Sequence, residues 1–285
     1  MRGERATVVL RRRRFRALAL DMDGTLTGAD GRVSERTVRV LARAERAGLR
    51  VVIATGRTAP TPLAVWHAAQ LSAPIITCGG SMTLQPPALE VLDVRELPEH
   101  VVTAALTLGA RHRLAVSLWT PDTIWMTELG PIADLLARIN DQPIELLGNA
   151  ATRPKPVVKV MLGGAPGDVD GAEAAVLAGL RDSSAARSML QFIEATPAGA
   201  SKERALGAVL ERLEVAPCDV IAAGDANNDL PMLALAGLAI APADAMPDAR
   251  AAADLVVGPH DRDGVAEFLE WVLDEMSTAP SRGAA

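Results

Sequence analysis

The chain has 285 residues, of which 49% are hydrophobic and 22% are charged, and these proportions exclude disordered and fibrous classes. Its formal net charge is -6, the wrong sign for a protein that binds nucleic acid through the phosphates. Two cysteines are too few for a disulfide framework, and we therefore predict a reducing, cytoplasmic location. The longest apolar stretch, 230–243, is interrupted by proline and glycine, so no membrane span is expected.

Short apolar runs alternate with segments of helical periodicity in the first part of the chain. The run at 17–20 is followed by a predicted helix that begins at Ser34 and stops at Gly48. The next elements are a strand over 50–54, a helix over 63–71 and a third strand over 74–77. This β-α-β-α-β alternation is typical of a parallel sheet with helices on both faces.

The middle of the chain follows a different pattern. The runs 114–119 and 123–128 are separated by a proline-containing turn and predict an antiparallel hairpin. The other elements predicted here are helices near 98–110 and over 169–180, strands over 157–162 and 189–194, and a loop over 141–156. We therefore expect residues 85–195 to form an α+β domain inserted into the first domain.

The parallel pattern resumes after the insertion. Its predicted strands lie over 220–223, 238–240 and 255–257. Its predicted helices lie over 201–213, between the first two of these strands with an end at residue 236, and over 264–273. Residues 1–84 and 196–285 are thus expected to form one Rossmann-like α/β domain. The arginines at 11–14 are expected to be a solvated extension, and 277–285 a frayed end.

Polar residues follow three of the predicted strands. They are Asp21 and Asp23 after the first, Thr55 and Gly56 after the second, and Asp225, Asn228 and Asp229 after the strand at 220–223, with Lys202 at the start of the preceding helix. Ligands of open α/β sheets bind beyond the carboxyl ends of the strands. Four carboxylates that meet there would repel one another without a cation, and their oxygen atoms favour Mg²⁺. Taken singly, each aspartate has the alternative role of a turn or N-cap residue.

The same residues resemble the motifs of the haloacid dehalogenase (HAD) superfamily. Asp21-Met22-Asp23-Gly24-Thr25-Leu26 is similar to its DxDGT[LV] motif, Thr55-Gly56-Arg57 to the second motif, Lys202 to the third, and GDANNDLPML from Gly224 to the fourth in its Cof-type sugar-phosphatase form. The resemblance covers about 16–82 and 195–275, and it implies a HAD-like core. Because the insertion lies between the second and third motifs, the resemblance also implies a C2-type cap.

The resemblance implies a phosphatase that acts through an aspartyl-phosphate intermediate. Asp21 would be the nucleophile, and Asp23 the general acid and base. Mg²⁺ would be bound by Asp21, the backbone carbonyl of Asp23, Asp225 and Asp229, while Thr55, Gly56, Lys202 and Asn228 would bind the phosphoryl group. The implied partner is a small phosphorylated metabolite, with a sugar or polyol phosphate preferred, and not nucleic acid or a membrane.

Several alternatives stay open at this stage. The function is alternatively that of a phosphomutase, a specialised glycosyl-phosphate phosphatase or a non-catalytic phosphometabolite-binding protein, and the chain is a monomer or a homodimer. Candidate cap residues for the leaving group are His112, Arg113, Trp119, Trp125 and Lys159. Cys78 stands where the Cof-type branch commonly has asparagine, which leaves open the contact made by that amide.

Overall fold

The computed structural model describes residues 15–148 and 154–278. Its strands are β1 (Ala17–Leu20), β2 (Arg50–Ile53), β3 (Ile75–Thr77), β4 (Met82–Gln85), β5 (Glu90–Val94), β6 (Ala115–Trp119), β7 (Ile124–Met126), β8 (Ile144–Leu146), β9 (Lys159–Gly163), β10 (Ser183–Met189), β11 (Phe192–Pro197), β12 (Val220–Ala223), β13 (Leu238–Pro242) and β14 (Leu255–Val257). Its helices are α1 (Glu35–Arg46), α2 (Pro60–Ala68), α3 (Glu99–His112), α4 (Pro131–Asn140), α5 (Pro166–Gly179), α6 (Lys202–Arg212), α7 (Leu230–Leu235), α8 (Pro247–Ala252) and α9 (Gly264–Thr278). The arginine run at 11–14 and residues 279–285 lie outside the described residues. The predicted frayed end over 277–285 is wrong for its first two residues, because α9 continues to Thr278.

A five-stranded parallel sheet in the order β14-β13-β12-β1-β2 forms the core. Its strands are apolar on both faces, because each face is covered by helices. Leu18 and Leu20 of β1 pack in one cluster with residues of α1 and α9, whereas Ala17 and Ala19 pack in the opposite cluster with residues of α6 and α7. This arrangement confirms the predicted Rossmann-like α/β core.

Helix α1 shows how local sequence signals fix the elements of this core. Ser34 is its N-cap, and the Ser34 hydroxyl accepts a hydrogen bond of 3.0 Å from the backbone N–H of Thr37. Val40, Leu41 and Ala44 are buried at helical spacing. The helix begins and ends close to the predicted positions.

The third predicted strand lies only partly in the parallel sheet. It is joined to the end of β2 by a parallel bridge between Ala54 and Ile76, and it pairs antiparallel with β4, which pairs with β5. No strand was expected over 82–94. The expected domain boundary between residues 84 and 85 falls inside β4, so the chain passes from core to cap through this three-stranded sheet.

The inserted α+β cap is built on a six-stranded sheet in the order β10-β11-β9-β6-β7-β8. Helices α3 and α5 contribute to the apolar cluster on one face of this sheet, and α4 contributes to the cluster on the other. The predicted hairpin of β6 and β7 is present and antiparallel. Among the described residues, no helix is long and apolar enough to cross a membrane.

Two sequence predictions in the cap are wrong. The single strand expected over 189–194 is the tip of a hairpin, because β10 ends at Met189, β11 begins at Phe192, and the two pair antiparallel. The turn at Leu190 and Gln191 has none of the glycine, proline or asparagine residues that usually mark one. The predicted loop over 141–156 contains β8, a short edge strand that is parallel to β7.

Candidate active site

The carboxyl ends of three core strands lie side by side and bring the predicted residues together. Leu20 at the end of β1 is opposite Ile53 of β2 and Ala223 of β12. The next residue, Asp21, donates its backbone N–H to the carbonyl of Ala223 at 3.0 Å. The loops that start with Asp21, Thr55 and Gly224 therefore begin side by side, one or two residues after the paired residues Leu20, Ile53 and Ala223.

Lys202 binds two of the predicted aspartates. Its Nζ donates to Asp21 Oδ1 and, at 2.7 Å, to Asp229 Oδ1, and all three side chains are buried. Burial and the neighbouring Asp229 raise the pKa of Asp21 well above its usual value, although Lys202 opposes this shift. Burial disfavours the ammonium of Lys202, but the two carboxylates outweigh it and raise the pKa of Lys202 above its ordinary value.

The start of α6, which carries Lys202, is fixed by two local features. Ser201 is the N-cap and accepts a hydrogen bond of 3.1 Å from the backbone N–H of Arg204. Gly80, in the 3-10 turn Cys78–Gly80 after β3, has a φ of +94° and lies so close that a Cβ there would be 2.2 Å from the carbonyl oxygen of Ser201. The glycine therefore lets this turn pack directly against the helix start.

Asp21, Asp225 and Asp229 offer carboxylate oxygens that all lie within 4.8 Å of one another. Lys202 balances one of these three charges. Burial, followed by the charge of Asp229, raises the pKa of Asp225 as well. A partly buried cluster of oxygen ligands with surplus negative charge fits a divalent cation, and these three residues could hold one.

Asp229 has a second contact besides the one with Lys202. Its Oδ2 accepts hydrogen bonds of 3.1 Å from the backbone N–H groups of Asp225 and Ala226. The same carboxylate thus contacts the lysine through one oxygen and caps the 3-10 turn Asn227–Asp229 through the other. The turn-capping alternative is therefore realised at this position, alongside the contact with Lys202.

The side chain of Asp23 lies outside the carboxylate cluster and pairs with Arg57. Arg57 Nε is 3.1 Å from both carboxylate oxygens of Asp23, and Arg57 Nη2 is 2.5 Å from Oδ1. Arg57 Nη2 also donates to the carbonyl of Gly31 at 3.0 Å. The Arg57 side chain is 6% exposed and that of Asp23 is 52% exposed, so Asp23 is accessible from solvent while its orientation is fixed. The sequence pattern alone assigns Arg57 no role.

Gly24 explains why the first motif contains a glycine. Its φ is +70°, and a Cβ at this position would be 2.4 Å from Asp225 Oδ2. The following Thr25 donates its hydroxyl to Asp225 Oδ1 at 3.3 Å. The loop after β1 can therefore approach Asp225 closely and hydrogen-bond to it.

Three predicted phosphate-binding residues differ in their surroundings. Thr55 is fully buried, and its Oγ1 accepts a hydrogen bond of 3.1 Å from the backbone N–H of Arg57. The Gly56 carbonyl accepts from Nζ of Lys159 in the cap at 3.3 Å. Asn228 is exposed on the 3-10 turn, next to Asp229.

The candidate cap residues separate into two groups. Lys159 and Trp119 lie at the junction with the core, where Lys159 Nζ is 4.2 Å from the Trp119 ring centroid. By contrast, Trp125 packs against the apolar cluster of the cap, and His112 and Arg113 lie at the end of α3. Within the described ranges, no hydrogen bond or ion pair joins the last three to the ends of the core strands.

Cys78 is buried at the same junction. It belongs to the apolar cluster that contains Trp119 and Phe192 of the cap. Burial raises the pKa of the Cys78 thiol to about 11. A neutral buried thiol is a poor nucleophile, so Cys78 has a packing role where the Cof-type branch commonly has asparagine.

Comparisons to known proteins identify the family of this chain. The model of the haloacid dehalogenase-like hydrolase family matches residues 18–269. The chain belongs to this family. A phosphoglycolate phosphatase of Methanopyrus kandleri is 28% identical over 90% of this chain and 96% of its own length. The HMP-PP phosphatase of Cronobacter sakazakii is 30% identical over 90% of this chain and 95% of its own length.

The fold is shared as well. The crystal structure of a haloacid dehalogenase-like hydrolase from Bacteroides thetaiotaomicron superposes with a TM-score of 0.85 at 27% identity and covers 91% of this chain and all of that one. The predicted HAD-like core with an inserted cap is confirmed. This HAD-like hydrolase is of the Cof type, and its enzyme class is that of the phosphoric monoester hydrolases.

Proposed function

We propose that this HAD-like phosphatase depends on Mg²⁺ and hydrolyses a small phosphomonoester through an aspartyl-phosphate on Asp21. The observation that carries the proposal is the partly buried group of Asp21, Asp225 and Asp229 beyond the ends of β1 and β12, with the buried Lys202 from the start of α6 beside it. Its surplus negative charge supports a divalent cation bound by Asp21, Asp225, Asp229 and the backbone carbonyl of Asp23. The bound cation would keep these carboxylates ionised and neutralise charge on the phosphoryl oxygens.

Asp21 is the proposed nucleophile. One of its oxygens accepts a hydrogen bond from Lys202, and this contact orients the carboxylate. A carboxylate oxygen of Asp21 forms the new bond to phosphorus while the bond from phosphorus to the leaving oxygen breaks. Water then attacks the same phosphorus atom, the bond to Asp21 breaks, and inorganic phosphate is released.

Asp23 is the proposed acid and base. Its half-exposed side chain lies outside the carboxylate cluster, where it can transfer protons to and from the leaving group and water. It protonates the leaving oxygen in the first step and accepts a proton from the attacking water in the second. Arg57 fixes its direction through two nitrogens of the guanidinium group.

The phosphoryl oxygens are the proposed ligands of Lys202, Thr55, Gly56 and Asn228. Lys202 supplies a buried positive charge, and its raised pKa keeps the ammonium protonated. The Thr55 hydroxyl, the Gly56 amide and the Asn228 amide add hydrogen-bond donors. Catalysis then depends on fixed donors and charge around phosphorus, as phosphoryl transfer requires.

The proposed substrate is a sugar or polyol phosphate. This choice follows the resemblance of the fourth motif to the Cof-type sugar-phosphatase branch, while the names of the relatives extend the class to phosphoglycolate and to HMP-PP. We further propose a core of 1–84 and 196–285 and a cap of 85–195. A cytoplasmic location, a monomeric or homodimeric state and the absence of nucleic-acid partners stay predictions.

Hydrolysis of p-nitrophenyl phosphate tests the mechanism. We expect release of inorganic phosphate in the presence of Mg²⁺, loss of turnover on addition of EDTA, and recovery when Mg²⁺ is restored. The variant Asp21→Asn should be inactive although folded, because an amide cannot form the phosphoenzyme. Full activity of Asp21→Asn would refute the assignment. Conversion of a hexose 1-phosphate into its 6-phosphate without phosphate release would indicate a phosphomutase instead.

A further inference from the structure

Lys159 is a buried lysine of the cap that contacts the core. It lies at the start of β9 and is 5% exposed. Its Nζ is 3.1 Å from Glu194 Oε2, 4.2 Å from the ring centroid of Trp119 and 3.3 Å from the carbonyl oxygen of Gly56. Glu194 balances its charge and Trp119 adds a cation–π contact, and both belong to the cap. The contact with Gly56 is the one that crosses to the core.

The peptide unit between Gly56 and Arg57 is held at both ends. Its carbonyl accepts from Lys159, and its N–H donates to Thr55 Oγ1 at 3.1 Å. Because a peptide unit is planar, fixing the direction of its carbonyl also fixes the direction of its N–H. An ammonium at the carbonyl polarises the peptide and strengthens the N–H as a donor.

The contact at Thr55 determines what its hydroxyl can do. A threonine hydroxyl has one hydrogen to donate and two lone pairs to accept with. Because Oγ1 already accepts from Arg57, its hydrogen can be directed to another acceptor. A phosphoryl oxygen beyond the end of β2 is such an acceptor. The same peptide immediately precedes the Cα of Arg57, whose guanidinium holds Asp23.

We propose that Lys159 is a positioning residue, which orients the Gly56–Arg57 peptide so that the Thr55 hydroxyl faces the phosphoryl group. The inference rests on the proposed function. Lys159 belongs to the cap and Gly56 to the core, so this contact exists only while the cap lies against the core. Closure of the cap therefore completes the phosphate-binding loop as well as covering the site.

The test uses four variants of the full chain with p-nitrophenyl phosphate, whose leaving group has no aliphatic hydroxyls. Lys159→Met keeps the length of the stem and removes the charge. Lys159→Met/Glu194→Gln also removes the carboxylate that would be left unpaired, and Lys159→Arg restores a donor. Lys155→Met is the matched control, since Lys155 is exposed and pairs with Glu99 on the cap surface.

We expect kcat/KM to fall at least about 10-fold in Lys159→Met and in the double variant. This is the scale of loss when a group that orients a binding residue, without touching the ligand itself, is removed. KM for p-nitrophenyl phosphate and the inhibition constant of inorganic phosphate should rise together, because both depend on the same donors. Lys159→Arg should recover part of the loss, and Lys155→Met should match the wild type. If Lys159→Met does not fold, the double variant decides.

Two results would overturn the inference. One is unchanged kinetics and phosphate inhibition in the folded double variant. The other is a loss confined to hydroxyl-rich phosphoesters, which would make Lys159 a leaving-group contact. Calorimetric titration with inorganic phosphate in the presence of Mg²⁺ separates this inference from the proposed function. Wild-type protein that binds phosphate without hydrolysing any phosphoester would refute the function alone, and Lys159→Met would still be expected to weaken that binding.

Discussion

Alanine substitution of two glycines at helix α6 is expected to change the free energy of unfolding in opposite directions. Gly80 packs against the helix start, whereas Gly207 lies inside the helix, where a Cβ would have open space around it within the described part of the chain. At Gly80 the positive φ costs an L-residue about 1–2 kcal/mol. The close approach to Ser201 adds an overpacking cost of about 1–3 kcal/mol.

The expected result is a loss of about 2–5 kcal/mol for Gly80→Ala. For Gly207→Ala, where alanine reduces the entropy of the unfolded chain, we expect a gain of about 0.4–1 kcal/mol. Activity should separate the variants as well. A Cβ at position 80 lies about 1 Å too close to Ser201 for ordinary contact, and the helix start that carries Lys202 must move by a similar distance. Displacement on this scale costs about 100-fold in rate.

Urea unfolding followed by tryptophan fluorescence gives the free energies, and hydrolysis of p-nitrophenyl phosphate gives kcat/KM. Gly207→Ala serves as the control for the chemical change from glycine to alanine within the same helix. If Gly80→Ala unfolds at the same urea concentration as the wild type and retains its kcat/KM, the close packing at Ser201 does not position Lys202.

Two further predictions concern features outside the phosphate site. Ser34→Ala removes the N-cap hydrogen bond from the backbone N–H of Thr37 and should lower the free energy of unfolding, measured in urea, by about 1 kcal/mol, with kcat/KM unchanged. A fall in kcat/KM would contradict the purely local role of this helix N-cap. In thiol titration near neutral pH, Cys218 is exposed and should react in the folded protein, whereas Cys78 should react only after unfolding, because burial raises its pKa to about 11. Equal reaction rates would show that Cys78 is accessible.

The core could be predicted from the sequence because its strands are short apolar runs and its site residues follow them directly. Asp21 and Asp225 sit at strand ends whose mutual order the parallel topology dictates. Their approach to each other therefore followed from the sequence pattern together with one general rule about α/β sheets.

The cap was less predictable for physical reasons. Strand β10, with the sequence SSAARSM, has low β-propensity and lies at the edge of its sheet, where pairing with β11 compensates for weak local signals. Strand β8 has three residues and follows Pro143, a residue typical of loops. The pairing of Asp23 with Arg57 also escaped prediction, because it depends on two loops that only the folded sheet brings together.

The two carboxylate oxygens of Asp229 make different contacts, so selection can act on this residue for two separate reasons. One oxygen binds Lys202, and the other holds the backbone of the turn after β12. A descendant that lost catalysis would still be under selection to keep this aspartate for the shape of its turn. Asp23, with its half-exposed side chain, has no comparable backbone contact among the described residues. In a lineage of such chains, retention of Asp23 is therefore the better indicator of the acid and base chemistry proposed for it.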